Sequence, residues 1–137
     1  MFRAVGGFAL LVLLSAVAQA KTIELLIPAN VAWFDTGVVV GKGQRISVAA
    51  SGLWSNGGLE EAYTGPAGFM HVIRQDTIFP SAPLAALVGR VGHTIVPIGA
   101  YTELALEGRL FLTMNDVPNT YGDNSGYMAV TIKILPR

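Results

Sequence analysis

Residues 110–132 read LFLTMNDVPNTYGDNSGYMAVTI, two alternating apolar segments that flank a polar loop. The apolar side chains of each segment fall on one face: Leu110, Leu112 and Met114 in the first, and Met128, Val130, Ile132 and Ile134 in the second. A period of two is typical of half-buried β-strands. The two segments are therefore predicted to be strands that pair or stack on each other.

The loop between these strands is rich in oxygen donors. Its polar side chains are Asp116, Asn119, Thr120, Asp123, Asn124 and Ser125, with no Cys or His among them. Carboxylate, amide, hydroxyl and carbonyl oxygens suit calcium better than zinc. The spacing is not that of an EF-hand, because D-x-D-x-D-G with a closing Glu is missing. The loop therefore predicts a calcium site between two strands.

A simpler interpretation of residues 122–126 is a tight turn, since Gly, Asp and Asn are favoured there for their backbone conformations. Asp116 at the other end of the loop favours the ion, because two carboxylates brought close repel each other unless a cation neutralises them. Both interpretations stay open on the residues alone.

Length and composition limit the class of protein. The chain has 137 residues, is 52% hydrophobic and carries nine basic and nine acidic residues, which fits one globular domain. No Lys or Arg run exists, so the charge pattern gives no basis for binding nucleic acid or an anionic membrane. There is no cysteine, which excludes disulfides.

The N-terminus has the pattern of a secretory signal peptide. Arg3 precedes the apolar run 8–14, and Ala18-Gln19-Ala20 is a small-x-small cleavage site. We expect residues 1–20 to be removed after Ala20, leaving a single domain at 21–137 that is secreted or periplasmic. The run is too short for a permanent span, although an uncleaved anchor is the alternative.

The rest of the chain predicts short strands separated by Gly and Pro. The other strand candidates are 22–27, 33–40, 45–52, 84–91, 94–98 and 102–106, while residues 56–68 form a long loop. Residues 84–88 are also compatible with a helical turn. About eight strands at ~10-residue spacing predict an all-β fold, an antiparallel β-sandwich of jelly-roll type.

The loop resembles that of the PA-I-type (PA-IL-like) galactose-binding lectins of bacteria. Residues 115–126, NDVPNTYGDNSG, are similar to the family pattern NDVPGTYGNNSG, and the similarity continues more weakly through 48–50, 65–66 and 86–88. The resemblance implies a β-sandwich that binds sugar through calcium. Its implied calcium ligands are the side chains of Asp116, Asp123 and Asn124 and the backbone carbonyls of Thr120 and Asn56.

The same resemblance implies how sugar binds: two neighbouring hydroxyls complete the calcium shell in place of water. The implied sugar contacts are Asp116, Val117, Thr120, Asp123, His71 and Gln75. The family's His-Pro-Asp-Gln segment is replaced by residues 71–75, HVIRQ, so that His71 is also interpretable as an ordinary surface histidine. A galactoside-like glycan is the expected partner, and a homo-oligomer is expected because lectins gain avidity from linked sites.

Three aromatic residues are candidates to stack on a sugar. Trp54 and Tyr121 lie beside the two loops, and Trp54 fits the core equally well, whereas Trp33 is predicted to be core. Two other functions compete with sugar binding. One is a structural module in which calcium only stabilises the loop. The other, an enzyme, is not expected, because an ion between Asp116 and Asp123 would hold both ionised and leave no general acid.

Overall fold

The computed structural model describes residues 21–58 and 62–136; the predicted signal peptide at 1–20 lies outside these ranges. The described residues form one short 3-10 helix, Tyr121–Asp123, and eight strands: β1 (Lys21–Pro28), β2 (Phe34–Val40), β3 (Ile46–Ser55), β4 (Leu87–Val91), β5 (Thr94–Pro97), β6 (Tyr101–Leu104), β7 (Gly108–Met114) and β8 (Ser125–Ile134). Within them, no helix is long and apolar enough to cross a membrane.

The strands build two antiparallel four-stranded sheets. One has the order β1-β8-β3-β6 and the other β2-β7-β4-β5. This confirms the predicted antiparallel β-sandwich, and successive strands alternate between the sheets except for β4 and β5, which pair as a hairpin within one sheet. β7 and β8 belong to different sheets, so the two strands that flank the polar loop stack rather than pair. The loop consequently crosses from one sheet to the other.

The core lies between the sheets, where the alternating apolar side chains of both inner faces meet. Its fully buried members include Ile27, Val40, Ile46, Val48, Leu110, Leu112, Met114, Met128 and Ile132. Burying each such side chain stabilises the fold by about 1.5–3 kcal/mol. This core fixes the ends of β7 and β8, and therefore both ends of the loop.

The two tryptophans have different environments. Trp54 is fully buried, and its indole Nε1 donates a hydrogen bond of 2.7 Å to the Ala85 carbonyl. Trp33, predicted to be core, is only partly buried, so that prediction is wrong. It has a left-handed φ of 53°, and the Arg90 guanidinium lies 4.6 Å from the centre of its ring and 4.6 Å from that of Phe111. Trp33 therefore covers a charged side chain outside the core.

β4 begins later than the sequence suggests. The predicted strand 84–91 is regular only from Leu87, because Ala85 takes a left-handed φ of 67°. The Ala85 amide donates to the Asn115 carbonyl at 2.8 Å, and the Asn115 amide donates to the Ala86 carbonyl at 2.7 Å. This irregular segment thus lies directly against the start of the polar loop.

Candidate functional site

Tyr121, the first residue of the 3-10 helix, anchors the polar loop to the core. Its ring is 7% exposed, and its hydroxyl donates a hydrogen bond of 2.7 Å to the Met114 carbonyl at the end of β7. Burial raises the pKa of this hydroxyl. Tyr121 and the buried Trp54 are therefore core residues, and neither ring is available to stack on a sugar as the sequence suggested.

Asp116 and Asn124 meet at the centre of the loop. Both are buried, at 3% and 6% exposure. Asn124 Nδ2 donates to Asp116 Oδ2 at 3.0 Å and to the Ala29 carbonyl at 2.9 Å, while the Val117 amide donates to Asp116 Oδ1 at 2.8 Å. The two predicted ligands thus hold each other and connect the loop to the end of β1.

The oxygen of the Asn124 amide is the unusual feature of this centre. Because both oxygen partners of Nδ2 are acceptors, the amide cannot be flipped without placing oxygen against oxygen. Oδ1 is buried and has no hydrogen-bond partner among the described residues. An unsatisfied buried acceptor costs about 1–3 kcal/mol. A cation bound next to Asp116 would remove that cost.

Residues 117–120 form a turn that directly follows Asp116. The Thr120 hydroxyl and amide both donate to the Val117 carbonyl, at 2.7 and 3.2 Å. Asn119 takes a left-handed φ of 69° at the position where the family pattern has glycine. Asn tolerates this conformation better than most residues, so the substitution does not require a different backbone path.

Asp123 lies against a second loop that contains Asn56. A Cβ built on Gly57 would lie 2.6 Å from Cγ of Asp123 and 2.7 Å from its Oδ2, and Gly57 has a left-handed φ of 73°. Only glycine leaves room for the carboxylate there. The sequence predicted a long loop at residues 56–68, and the structure brings the start of this loop to the exposed carboxylate of Asp123.

Asn115 has a role that the sequence did not reveal. It is fully buried, and its Nδ2 donates to the carbonyls of Phe79, Ala82 and Pro83 at 3.0 Å each, while its Oδ1 accepts from the Phe79 amide at 3.0 Å. All of its side-chain polar atoms are therefore used to hold the turn 79–83. In the sequence it was simply another polar residue next to Asp116.

The segment before that turn carries His71 and Gln75. Both are exposed, and the segment is held beside the loop because the Ile78 amide donates to the Asp116 carbonyl at 3.0 Å. Arg74, between them, pairs with Asp76 at 2.6 Å. This hydrogen bond is the main cause of the raised pKa of Arg74, and the charge of Asp116 adds to it. Both predicted sugar contacts thus lie on a segment that flanks Asp116.

The donor chemistry of the loop fits calcium. The sequence has no cysteine and two histidines, which is too few nitrogen and sulfur ligands for a structural zinc site. The part of the chain that the structure describes holds no cluster of three or more His, Cys, Asp or Glu side chains, so an ion there would depend on amide and carbonyl oxygens as well as carboxylates. Two carboxylates, an unsatisfied amide oxygen and backbone carbonyls are instead the mixture that calcium takes. The predicted residues Asp116 and Asn124 touch directly, and Asp123 contacts the turn that contains Asn56.

Comparisons with known proteins agree with this fold and loop. The model of the PA-IL-like protein family matches residues 26–137. Lectin A of Photorhabdus laumondii subsp. laumondii is 33% identical over 106 residues, which cover 75% of this chain and 83% of the relative. The EclA N-terminal domain, a PllA-like lectin, has a TM-score of 0.68 at 28% identity and covers 83% of this chain and 98% of that one. Because the family model matches most of its length, this chain belongs to the PA-IL-like protein family.

Proposed function

We propose that the protein is a lectin that binds carbohydrate through a calcium ion held in the 115–125 loop. The observation that carries the ion is the buried, unsatisfied Oδ1 of Asn124 beside the Asp116 carboxylate. Carbohydrate as the ligand is supported by family membership, since the relative is Lectin A and the structural neighbour is a lectin.

The proposed ligands of the ion are the side chains of Asp116, Asp123 and Asn124 and the carbonyls of Thr120 and Asn56. Calcium takes about six to eight oxygens, which leaves room for ligand atoms from outside the protein. The ion supplies a positive charge to which two neighbouring sugar hydroxyls bind in place of water. Without it a neutral sugar gains little, because each hydrogen bond to protein replaces one to water.

The chain's own residues then orient the sugar. Asp116, Asp123, Val117 and Thr120 surround the hydroxyls at the ion. His71 and Gln75 contact the rest of the sugar from the segment that the Ile78–Asp116 hydrogen bond holds in place. Galactose-type sugars are the proposed ligands.

Catalysis is not part of this proposal. A catalytic pair of carboxylates needs one member that donates a proton to the leaving group. Asp116 Oδ1 and Oδ2 each accept a hydrogen bond, from Val117 and from Asn124, and both carboxylates of the loop are assigned to the cation. Binding without turnover is the function that this arrangement supports best.

Export and assembly complete the proposal. Cleavage after Ala20 would release a domain that begins with β1 at Lys21. The released domain would act outside the cytoplasm, and association of several copies would raise the avidity of weak sites.

Calorimetry tests the proposed function. Calcium is titrated into metal-free protein, and methyl α-galactoside is then titrated into the calcium-loaded form. We expect sugar binding only with calcium, and Asp123→Ala should weaken both steps. Asp35→Ala is the matched control, because Asp35 is an exposed carboxylate of β2 that pairs with Arg109 of β7 at 2.9 Å and is not part of the 115–125 loop.

The outcomes separate the competing functions. Sugar binding that survives EDTA would contradict the calcium mechanism. A calcium-dependent rise in melting temperature with no further rise from any sugar would instead indicate a structural module, since any ligand of the native state stabilises it.

A further inference from the structure

A second concave surface lies next to Asn124, and neither Asp123 nor Asn56 is among the residues that line it. This cleft has a volume of about 230 Å³ and is formed where β1 ends and β8 begins. Its lining residues are Pro28, Asn30, Asn124, Ser125, Gly126 and Tyr127. None of them is charged, so the cleft offers amide, hydroxyl and aromatic groups to a neutral ligand.

Tyr127 gives the cleft an aromatic platform. Its side chain is 59% exposed on the outer face of the β1-β8-β3-β6 sheet. Its backbone pairs with Pro28 of β1 on one side and with Leu53 of β3 on the other, so the ring stands on a central strand. Leu53 is 62% exposed and extends the apolar surface. The platform is therefore anchored in the sheet, unlike a side chain on a loop.

Polar groups border this platform. The Ser125 hydroxyl lies two residues along β8 on the same face as Tyr127 and is 2.8 Å from the hydroxyl of Tyr63, which is itself 52% exposed. The exposed Asn30 lines the cleft from the segment after β1. Amide and hydroxyl groups beside an exposed ring match a molecule with an apolar face and a rim of hydroxyls.

We infer that this cleft is a second carbohydrate site that does not require calcium. A pyranose would place its C–H face on Tyr127 and its hydroxyls towards Asn30 and Ser125. The ring supplies apolar contact area at a low cost in side-chain entropy, as tyrosine does in many binding surfaces. Of the proposed calcium ligands only Asn124 lines the cleft, and its Oδ1, the atom assigned to the ion, is buried, so a sugar in the cleft does not compete with calcium for that atom.

Nuclear magnetic resonance tests this inference. Amide resonances of ¹⁵N-labelled protein are followed while methyl α-galactoside or methyl α-glucoside is added, once with calcium and once with EDTA. We expect saturable shifts of Asn30, Ser125 and Tyr127 under both conditions, whereas shifts at Asp116 require calcium. Tyr127→Ala should raise the dissociation constant for sugar at the cleft at least tenfold, about 1.4 kcal/mol, without changing the dissociation constant for sugar at the calcium site.

Two variants serve as controls. Tyr127→Phe keeps the ring and should keep the shifts. Tyr101→Ala removes another tyrosine from the outer face of the same sheet, one that is 58% exposed on β6, and should leave both sites unchanged.

Four results would overturn the inference. One is calcium-dependent shifts at Asp116 with none at the cleft, which leaves the proposed function intact. Another is cleft shifts that vanish in EDTA, which would mean that only one site exists. The third is dilution-dependent shifts of the cleft residues in the absence of sugar, with a dimer in sedimentation, which would assign this face to a second copy of the chain. Wild-type protein with calcium that shows no shifts at either place would contradict the proposed function as well.

Discussion

The replacement Asn115→Ala tests how the segment that carries His71 and Gln75 is held beside Asp116. In the structure the Asn115 side chain is fully buried and connects β7 to the turn 79–83 through four contacts of 3.0 Å. Alanine removes the amide and leaves the groups of that turn without their partner. The turn should become less ordered, and the segment before it, which carries His71 and Gln75, should also become less ordered.

The expected loss of stability can be worked out from the number of protons on Nδ2 of Asn115. Nδ2 has two protons for three carbonyls, so together with the bond accepted by Oδ1 the side chain supplies about three full hydrogen bonds. Each contributes about 1 kcal/mol net, and partners left buried without a substitute raise the cost. We therefore expect a loss of about 3–5 kcal/mol in the free energy of unfolding. For a domain of this size this corresponds to a fall of roughly 10–20 °C in melting temperature.

Urea denaturation followed by circular dichroism measures this loss, with calorimetry of sugar binding on the folded fraction. Asn115→Asp is the informative partner variant, because it keeps the volume and an acceptor for the Phe79 amide but turns oxygen towards three carbonyls. It should be at least as damaging as alanine. Ser81→Ala, at an exposed position of the same turn, is the control and should change stability by less than about 0.5 kcal/mol. A loss below about 1 kcal/mol for Asn115→Ala, or full stability of Asn115→Asp, would refute the reasoning.

Three further predictions concern the surroundings of the loop. Gly57→Ala should weaken calcium binding at least tenfold in calorimetry, because its Cβ would lie 2.6 Å from Cγ of Asp123. Gly58→Ala should leave calcium affinity unchanged, because its Cβ would make only ordinary contacts. Equal calcium affinities of the two variants would contradict this prediction. Arg90→Met should cost about 1–2 kcal/mol in urea denaturation, because it removes the guanidinium that lies against the rings of Trp33 and Phe111. No measurable loss would show that these contacts do not stabilise the fold. Trp54→Phe should cost about 1–3 kcal/mol for the carbonyl left unpaired, with calcium affinity of the folded protein unchanged; a selective loss of calcium or sugar binding would instead place Trp54 in the site.

The architecture was predictable because the apolar pattern along β7 and β8 has only one face that can be buried. The same rule, that alternating side chains share one face of a strand, also applies to β3, where the sequence prediction did not use it. Positions 46, 48, 50, 52 and 54 point the same way along β3, so the alternation directs Trp54 inward. The predicted strand stopped at Gly52, whose φ of 130° leaves its missing Cβ only 2.7 Å from the Tyr127 carbonyl. A glycine that permits close approach of two strands was interpreted as the end of one.

Other features depend on tertiary contacts that no local pattern shows. Trp33 and Ala85 both have left-handed backbone conformations, which bulky or ordinary side chains adopt only where surrounding contacts compensate. Trp33 is held over Arg90, and Ala85 is held by the hydrogen bond from its amide to the Asn115 carbonyl and by the bond that its own carbonyl accepts from the indole of Trp54. The misplacement of Trp33 and the late start of β4 both follow from these contacts.

Asn115 and Asn124 show that residue type alone does not determine which amide oxygen is free to bind a ligand. These are two of the three asparagines of the polar loop, and in the sequence they have the same chemistry and the same capacity for hydrogen bonds. Folding assigns both ends of the Asn115 amide to backbone groups of the turn 79–83, so its oxygen is unavailable to a ligand. In Asn124 only the amide nitrogen makes hydrogen bonds, and the amide oxygen of the same side chain is buried without a partner.

The difference between these two asparagines also bears on Asp123, where the family pattern has an asparagine. Asp123 is exposed, and its carboxylate lies against Gly57, so its extra negative charge does not incur the cost of burial. The number of charged ligands is one of the quantities that set the affinity of a calcium site. Asp123→Asn restores the family residue at nearly the same size and should therefore weaken calcium binding, measurably more at low ionic strength, where the contribution of an exposed charge is least screened. Equal calcium affinity of the two forms at low salt would mean that the Asp123 carboxylate does not reach the ion.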